Sequence, residues 1–139
     1  MTKRITSSIT LLLIIFLLIT PLTVSAQTYS FSLDKEIVNA YWNKDGTLSI
    51  DYQFTFANDA SASPIDYVDV GVPNSSYNIN NVTADVNGQS LTDISPSPYV
   101  KPGVAIGLGS NAIQPGNTGT VHVTIQSISR VLHQDSQDK

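Results

Sequence analysis

The residue types that usually carry out catalysis are scarce in this chain, and their spacing does not suit it. The chain has no cysteine and two histidines, His122 and His133. Serine is abundant, but the Gly-x-Ser-x-Gly turn that presents a nucleophile in many hydrolases does not occur. His122 lies within an alternating valine-rich segment, where an exposed or cross-strand histidine is expected rather than a general base. We therefore predict no catalytic residue, and a hydrolase domain remains only a formal alternative.

Residues that bind metals are also poorly grouped along the sequence. Neither histidine has a second ligand at a spacing typical of zinc sites. The best groups of oxygen ligands for calcium are short acidic or amide pairs, although no Asp-x-Asp-x-Asp-Gly run accompanies them: Asp34/Glu36, Asn58/Asp59 and Asp66/Asp69. We expect no metal site and no cofactor.

Aromatic residues are better candidates for contact with a ligand, because exposed rings on β-sheet proteins often stack on sugar rings. The aromatic residues that the predicted core does not need are Tyr41, Trp42, Tyr67, Tyr77 and Tyr99. Tyr67 is out of phase with Val68, so we expect it on a solvent-facing surface or at a sheet edge. Trp42 adjoins a predicted turn, where the main interpretation is that it packs into one end of the domain. The possible ligand-stacking residues are thus Trp42, Tyr67 and Tyr99.

The element that must support these residues is the segment 47–56. Its apolar residues alternate without a break with polar ones, and they are Leu48, Ile50, Tyr52, Phe54 and Phe56. A β-strand has a side-chain period of two, so all five would lie on one face, and no helix would gather them on one side. The segment is predicted to be a half-buried strand with one face on the core.

The flanking sequence predicts shorter strands joined by tight turns. Residues 29–42 alternate with a phase shift near Asp34, which predicts a bulged strand. A short helix over 33–42 is the alternative, because Leu33, Ile37 and Tyr41 are four residues apart. Turns are predicted where Asp45 precedes Gly46 and where Asn87 precedes Gly88. Further strands are predicted at 65–72, 79–86, 104–108 and 121–126, with a short return strand that carries Leu91 and Ile94.

Two segments of this series are unusual. The segment 95–103 contains three prolines and is predicted to be an extended loop. The strand 104–108 has almost no side chains on one face, so either another segment packs closely against it or it lies at an edge. Together the pattern predicts an all-β, immunoglobulin-like antiparallel β-sandwich of about seven or eight strands, with an eight-stranded barrel as the alternative.

The first residues have the layout of a secretory signal peptide. Lys3 and Arg4 precede an apolar run at 11–19, and small residues follow, so we expect cleavage between Ala26 and Gln27. An uncleaved membrane anchor is the alternative, although the run is shorter than the roughly 20 residues that span a bilayer. The predicted division is a signal peptide at 1–26, a β-sandwich domain at 27–128, and 129–139 as a polar tail or the start of a truncated hairpin.

The net charge and the absence of cysteine limit which partners and which cellular location are expected. The net charge is −4, and loss of the basic residues before the apolar run would make it more negative. The remaining basic residues are scattered, so nucleic acid and anionic membrane surfaces are not expected as partners. An exported domain without disulfides fits a bacterial or archaeal envelope better than an animal secretory pathway.

The segment 29–126 resembles the extracellular N-terminal domain of uncharacterised predicted membrane proteins of bacteria. The matching features are Asn43-x-Asp45-Gly46 before the strand at 48–56, the sequence Ile65-x-x-Val68-x-Val70-Gly71-Val72-Pro73, and the Asn87-Gly88 turn. This resemblance implies an envelope-facing immunoglobulin-like sandwich on a membrane-anchored protein, without catalytic activity or a cofactor. The chain would then be the N-terminal part of a longer product.

These observations lead to one main functional hypothesis and one alternative. The main hypothesis is a non-catalytic, exported interaction or spacer domain of a bacterial cell-envelope protein, located on the extracytoplasmic face or secreted. Its partner would be a protein or glycan of the envelope, and membrane contact would come only from a missing downstream anchor or an uncleaved signal. The alternative is a carbohydrate-binding module that uses the exposed aromatic residues.

Overall fold

The computed structural model of the protein describes residues 28–132. The predicted signal peptide with its cleavage site at Ala26 and Gln27, residue His133 and the end of the predicted tail lie outside these residues. The described part forms eight strands, with two short 3-10 helices at Ile79–Asn81 and Gly109–Asn111. The strands are β1 (Phe31–Trp42), β2 (Leu48–Asn58), β3 (Tyr67–Gly71), β4 (Val82–Val86), β5 (Gln89–Leu91), β6 (Asp93–Pro96), β7 (Gly103–Gly107) and β8 (Thr118–Ile128).

The strands form two antiparallel sheets of unequal width. The larger sheet has five strands in the order β1-β2-β8-β4-β5, and the smaller sheet has three in the order β3-β7-β6. Apolar residues from both sheets belong to one buried cluster. The all-β prediction is confirmed, and the two facing sheets have the arrangement of a β-sandwich.

Strand β2 is the half-buried strand that the alternation predicts. Leu48, Ile50 and Phe56 are buried, while Tyr52 and Phe54 are partly buried and pack against the core. The most deeply buried part of the core lies where the centres of the two sheets face each other. Residues of β7 and β8 there have no exposed area, and they include Val104, Ile106, Val121, Val123 and Ile125.

The predicted turns and the predicted bulge are present. Gly46 and Gly88 adopt positive φ angles of 80° and 81°, which glycine does without a steric penalty, and they close the β1–β2 and β4–β5 hairpins. The register between β1 and β2 shifts between Leu33 and Lys35, as the phase change predicts. The alternative helix over 33–42 is wrong, because β1 is extended throughout.

Three predicted segments differ from the structure. The segment 79–86 begins as a 3-10 helix and becomes a strand only at Val82. The single return strand predicted to carry Leu91 and Ile94 is two strands, because the chain leaves the larger sheet after β5 and enters the smaller one as β6. The predicted loop 95–103 is shorter than expected, since β6 continues to Pro96, where an edge strand tolerates a residue without an N–H group.

Strand β7 is the centre of the smaller sheet and not an edge. The face of β7 with almost no side chains is the face against which neighbouring segments pack closely, as one of the two predictions for this strand had it. An ideal Cβ atom on Gly103 would lie 2.6 Å from the carbonyl oxygen of Val100. One on Gly107 would lie 2.2 Å from a carboxylate oxygen of Asp93. Two neighbouring groups thus occupy the space that side chains would need.

The outermost strand of the larger sheet has little cover. β1 pairs with β2 along one edge, and its residues are exposed apart from the half-buried Ile37. The large apolar residues on the side that faces inward elsewhere in the sheet are Phe31, Leu33, Val38 and Trp42, with 44–61% of their surface exposed. The prediction that Trp42 packs into one end of the domain is therefore wrong. Among residues 28–132, no helix has the length and apolar character needed to cross a membrane.

Gly103 gives a direct test of the packing around β7. We expect Gly103→Ala to destabilise the domain by about 1–3 kcal/mol, because the new methyl group would press on two backbone carbonyls. Gly71 is the cross-strand partner of Gly103, and an ideal Cβ atom on Gly71 would lie 3.7 Å from the nearest atom, which is an ordinary contact distance. Gly71→Ala should therefore change the free energy of unfolding by less than about 0.5 kcal/mol. Urea denaturation of both variants measures this difference, and equal midpoints would contradict the packing described for β7.

Candidate functional site

A shallow trough crosses the outer face of the smaller sheet. The small residues Ala105 and Gly107 of β7 form its floor, and larger residues on the neighbouring strands form its sides. The cavity is about 270 Å³ and is here called the tyrosine trough; it is lined by Tyr67, Asp69, Asp93, Ser95, Pro98, Tyr99, Ala105 and Gly107. It is built mainly on three hydrogen-bonded strands, so most of its lining residues have a rigid support.

Aromatic rings dominate one side of the trough. The rings of Tyr67 and Tyr99 lie nearly parallel, with centroids 6.4 Å apart and an angle of 27° between their planes. The ring of Tyr29 meets Tyr67 edge-on, with the centroids 5.8 Å apart. Tyr67 is 41% exposed and Tyr99 is 77% exposed, so both rings offer surface to a ligand.

A buried serine fixes the loop that carries Tyr99. The hydroxyl oxygen of Ser97 accepts hydrogen bonds from the backbone N–H groups of Tyr99 (3.1 Å) and Val100 (2.8 Å). The same hydroxyl donates to the carboxylate of Asp69 on β3. This chain of bonds ties the loop to the sheet, and it places Tyr99 beside Tyr67.

The trough and its rim are acidic. Asp69 and Asp93 line it, and Asp66 next to it accepts a hydrogen bond of 2.6 Å from the hydroxyl group of Tyr29. Partial burial and this bond to Asp66 raise the pKa of Tyr29 to about 12, so its hydroxyl stays protonated and keeps donating. Within residues 28–132 the ion pairs found involve His122 alone, so no lysine or arginine there lies at ion-pair distance from Asp69 or Asp93.

The structure brings together only some of the residues that the sequence proposes. Tyr67 lies on the outer face of β3, as its phase predicts, and Tyr99 joins it. Trp42 lies on the other sheet, at the end of β1. The start of β1 at Phe31 follows Tyr29, which meets Tyr67, and Trp42 is about 36 Å from that start along the strand. It therefore does not share a site with the two tyrosines.

Two other aromatic candidates do not belong to the trough. Tyr41 is exposed and lies opposite Ser49 on the larger sheet. Tyr77 is partly buried against the core, and its hydroxyl donates to the carbonyl oxygen of Gly103 at 2.9 Å, which is a structural role.

Sequence reasoning missed the contributions of Tyr29, Asp69 and Asp93 to one surface. The available signal was the strand 104–108 with its bare face, since a strand without outward side chains leaves room for neighbours and ligands. What the sequence did not contain was the order of the strands. Only that order places Asp93 of β6 and Tyr67 of β3 on either side of Gly107.

A second polar cluster lies on the outer face of the larger sheet. His122 of β8 lies between two carboxylates, with Asp51 of β2 at Nε2 and Asp85 of β4 at Nδ1, the latter 3.1 Å away. The cross-strand interpretation of His122 is confirmed. Each ring nitrogen thus lies beside a carboxylate of a neighbouring strand.

This cluster is also unsuited to holding a metal ion. The two carboxylates approach opposite nitrogens of the ring instead of converging on one point. Among residues 28–132, no group of three or more histidine, cysteine, aspartate or glutamate side chains is placed to hold a metal ion. Asn58 and Asp59, one of the pairs considered for calcium, make contacts within the fold. The Asn58 amide nitrogen donates to the carbonyl oxygens of Ser63 and Ile113, and the Asp59 carboxylate accepts a hydrogen bond from the Ser30 hydroxyl.

Another cavity, of about 720 Å³, opens between the loops near Tyr77 and Lys101. Its polar groups serve the fold: the Tyr77 hydroxyl bonds to a backbone carbonyl, and Ser97 holds the loop that follows it. The tyrosine trough is therefore the better candidate, since its rings and carboxylates are directed to the outside. Comparison of the chain with protein-family models, with curated proteins and with solved structures found no match.

The His122 cluster predicts a specific dependence of stability on pH. Partial burial alone would lower the pKa of His122, but the hydrogen bonds and charges of Asp85 and Asp51 outweigh it and raise the pKa. Because the pKa is higher in the folded chain than its ordinary value of about 6.5, the stabilisation is complete below that value and is lost as pH rises through the folded pKa. We expect the melting temperature of the domain to fall as pH rises above about 6.5, the ordinary pKa of histidine, and His122→Gln to remove this part of the fall. If the melting temperature falls equally with pH in both proteins, His122 is not the group responsible.

Proposed function

We propose that the chain is a non-catalytic, exported interaction domain, with an immunoglobulin-like sandwich, of a bacterial cell-envelope protein. The sequence of residues 1–26 supports export, and the absence of cysteine suits an envelope domain held together by its core. The observation that carries the proposal is the tyrosine trough, in which exposed rings and carboxylates line a rigid sheet surface.

The charge of the trough favours a basic partner. Asp69 and Asp93 lie beside the rings of Tyr67 and Tyr99, and a ring face attracts a cation as a carboxylate does. A lysine or arginine side chain of another envelope protein would place its charge between these groups and its methylene groups along a ring. The partner we propose is therefore a basic segment of a protein.

Carbohydrate binding is the second candidate, and the nearly parallel rings of Tyr67 and Tyr99 favour it. A sugar would stack its apolar face on the exposed ring of Tyr99 and direct hydroxyl groups towards the carboxylates. This binding would depend on the rings more than on charge, so it would respond little to salt.

Titration calorimetry with a short arginine- and lysine-containing peptide and with neutral oligosaccharides separates the two candidates. We expect the peptide to bind, and Asp93→Asn to weaken it about tenfold, because one charge-assisted contact is lost while the shape is kept. Binding of the peptide should also weaken as salt is added. Tyr99→Ala should reduce the affinity several-fold through loss of the ring.

Tyr41→Ala provides the matched control, because it removes another exposed tyrosine from the other sheet and should leave the affinity unchanged. Oligosaccharide binding that Tyr99→Ala abolishes and Asp93→Asn leaves intact would establish the carbohydrate candidate instead. If neither probe binds, or if Tyr41→Ala weakens binding as much as Tyr99→Ala, the trough is not the binding site.

A further inference from the structure

Strand β1 has a free backbone edge whose hydrogen-bonding groups can be assigned. The N–H group of Asn43 donates to the carbonyl oxygen of Thr47 at 2.9 Å, which makes these residues a hydrogen-bonded pair at the end of the β1–β2 hairpin. Such pairs alternate along an antiparallel ladder. The backbone groups of β1 that point away from β2 therefore belong to Glu36, Val38, Ala40 and Trp42.

The same four residues share the uncovered face of the larger sheet. Their register partners on β2 are the residues that point towards the core, so their side chains lie on that side of the sheet. Val38 is 49% exposed and Trp42 is 61% exposed. Within residues 28–132, no strand other than β2 pairs with β1, and no loop forms a backbone hydrogen bond to it. The edge and this face are thus open to one and the same partner.

We propose that the partner is a second copy of this chain, with the two β1 strands paired antiparallel about a two-fold axis through Ala40. The two five-stranded sheets then form one continuous sheet. In this register Val38 of each copy lies opposite Trp42 of the other, so exposed apolar residues cover each other twice. The alternation gives about six backbone hydrogen bonds between residues 38 and 42 of the two copies.

Charge is what favours this register over its neighbours. Pairing about Ala40 places Glu36 of each copy opposite the exposed Lys44 of the other, at the turn that follows β1. Pairing about Glu36 would place two glutamates directly opposite each other, which is unfavourable. Pairing about Val38 would place Glu36 opposite Ala40 and would leave the charge without a partner.

The bulge explains why the pairing stops where it does. The register shift between Leu33 and Lys35 twists the strand at that point, and a bulge ends regular pairing along an edge. The segment 36–42 is therefore the straight part of the edge that remains for a second strand. A symmetric interface of this kind is self-complementary, as closed dimers require.

The chain contains no cysteine, so single cysteine variants give a clean test. In the proposed register the Cα atoms of the two Ala40 residues are about 5.5 Å apart, within the range of about 4.4–6.8 Å that a disulfide spans. The two Val38 residues are offset by about 13 Å along the strands, beyond that range. Under mild oxidation we expect Ala40→Cys to form at least ten times more disulfide-linked dimer than Val38→Cys.

Val38→Cys is the matched control, because it has the same face, the same edge and a similar exposure. Preferential cross-linking of Val38→Cys would overturn the register, and equal or negligible cross-linking of both folded variants would overturn the dimer. Sedimentation of the unmodified chain provides the second measurement. A monomer at all concentrations up to the high micromolar range would also overturn the proposal.

A charge exchange tests the register independently of the cysteine positions. Glu36→Lys, added to Ala40→Cys, should reduce the yield of disulfide-linked dimer several-fold, because each new lysine meets Lys44 of the other copy. Adding Lys44→Glu should restore the yield. An unchanged yield in the Glu36→Lys protein, or no recovery in the double exchange, would contradict the pairing about Ala40.

Discussion

The unequal width of the two sheets is the constraint on which the rest of the structure depends. Neighbouring strands lie about 4.8 Å apart, so a three-stranded sheet cannot cover a five-stranded one. The most completely buried residues of the core lie on β7 and β8, where residues such as Ile106 and Val123 have no exposed area. The uncovered width falls at the β1 side, where apolar residues such as Trp42 stay exposed.

The central strand of the smaller sheet links the core to the candidate site. Its inward residues, Val104 and Ile106, are large and fill the core, while its outward residues, Ala105 and Gly107, are small. This division gives a firmly packed inner face and a hollow outer face on the same strand. The trough therefore depends on the core, because its floor is the back of the best-buried strand.

Local pattern predicts much of this fold, because side-chain period and turn chemistry are local properties. The alternation from Leu48 to Phe56 predicts β2, and the glycines at 46 and 88 predict the two hairpins. The same rules do not say which sheet a short strand joins, so the division between β5 and β6 at Thr92 was not predictable. The width of the sheet that faces a given strand is likewise a property of the assembled fold.

The same distinction applies to the candidate site. The phase of Tyr67 along its strand predicts that it faces outward, and the structure confirms this. The packed position expected for Trp42 was wrong because β1 is the edge strand of a five-stranded sheet and the facing sheet has only three strands. The approach of Tyr99 to Tyr67 depends on a loop that Ser97 holds, and no pattern in the sequence describes the path of that loop.

Trp42 provides the most direct test of the central claim, because it is the only tryptophan of the chain and lies on the uncovered face. The measurement is acrylamide quenching of its fluorescence in the native chain, at a concentration where sedimentation shows a monomer. The account predicts quenching close to that of the urea-unfolded chain, with an emission spectrum typical of indole in water. A blue-shifted emission and strong protection from acrylamide in the folded monomer would show that the face is covered, and would contradict the account.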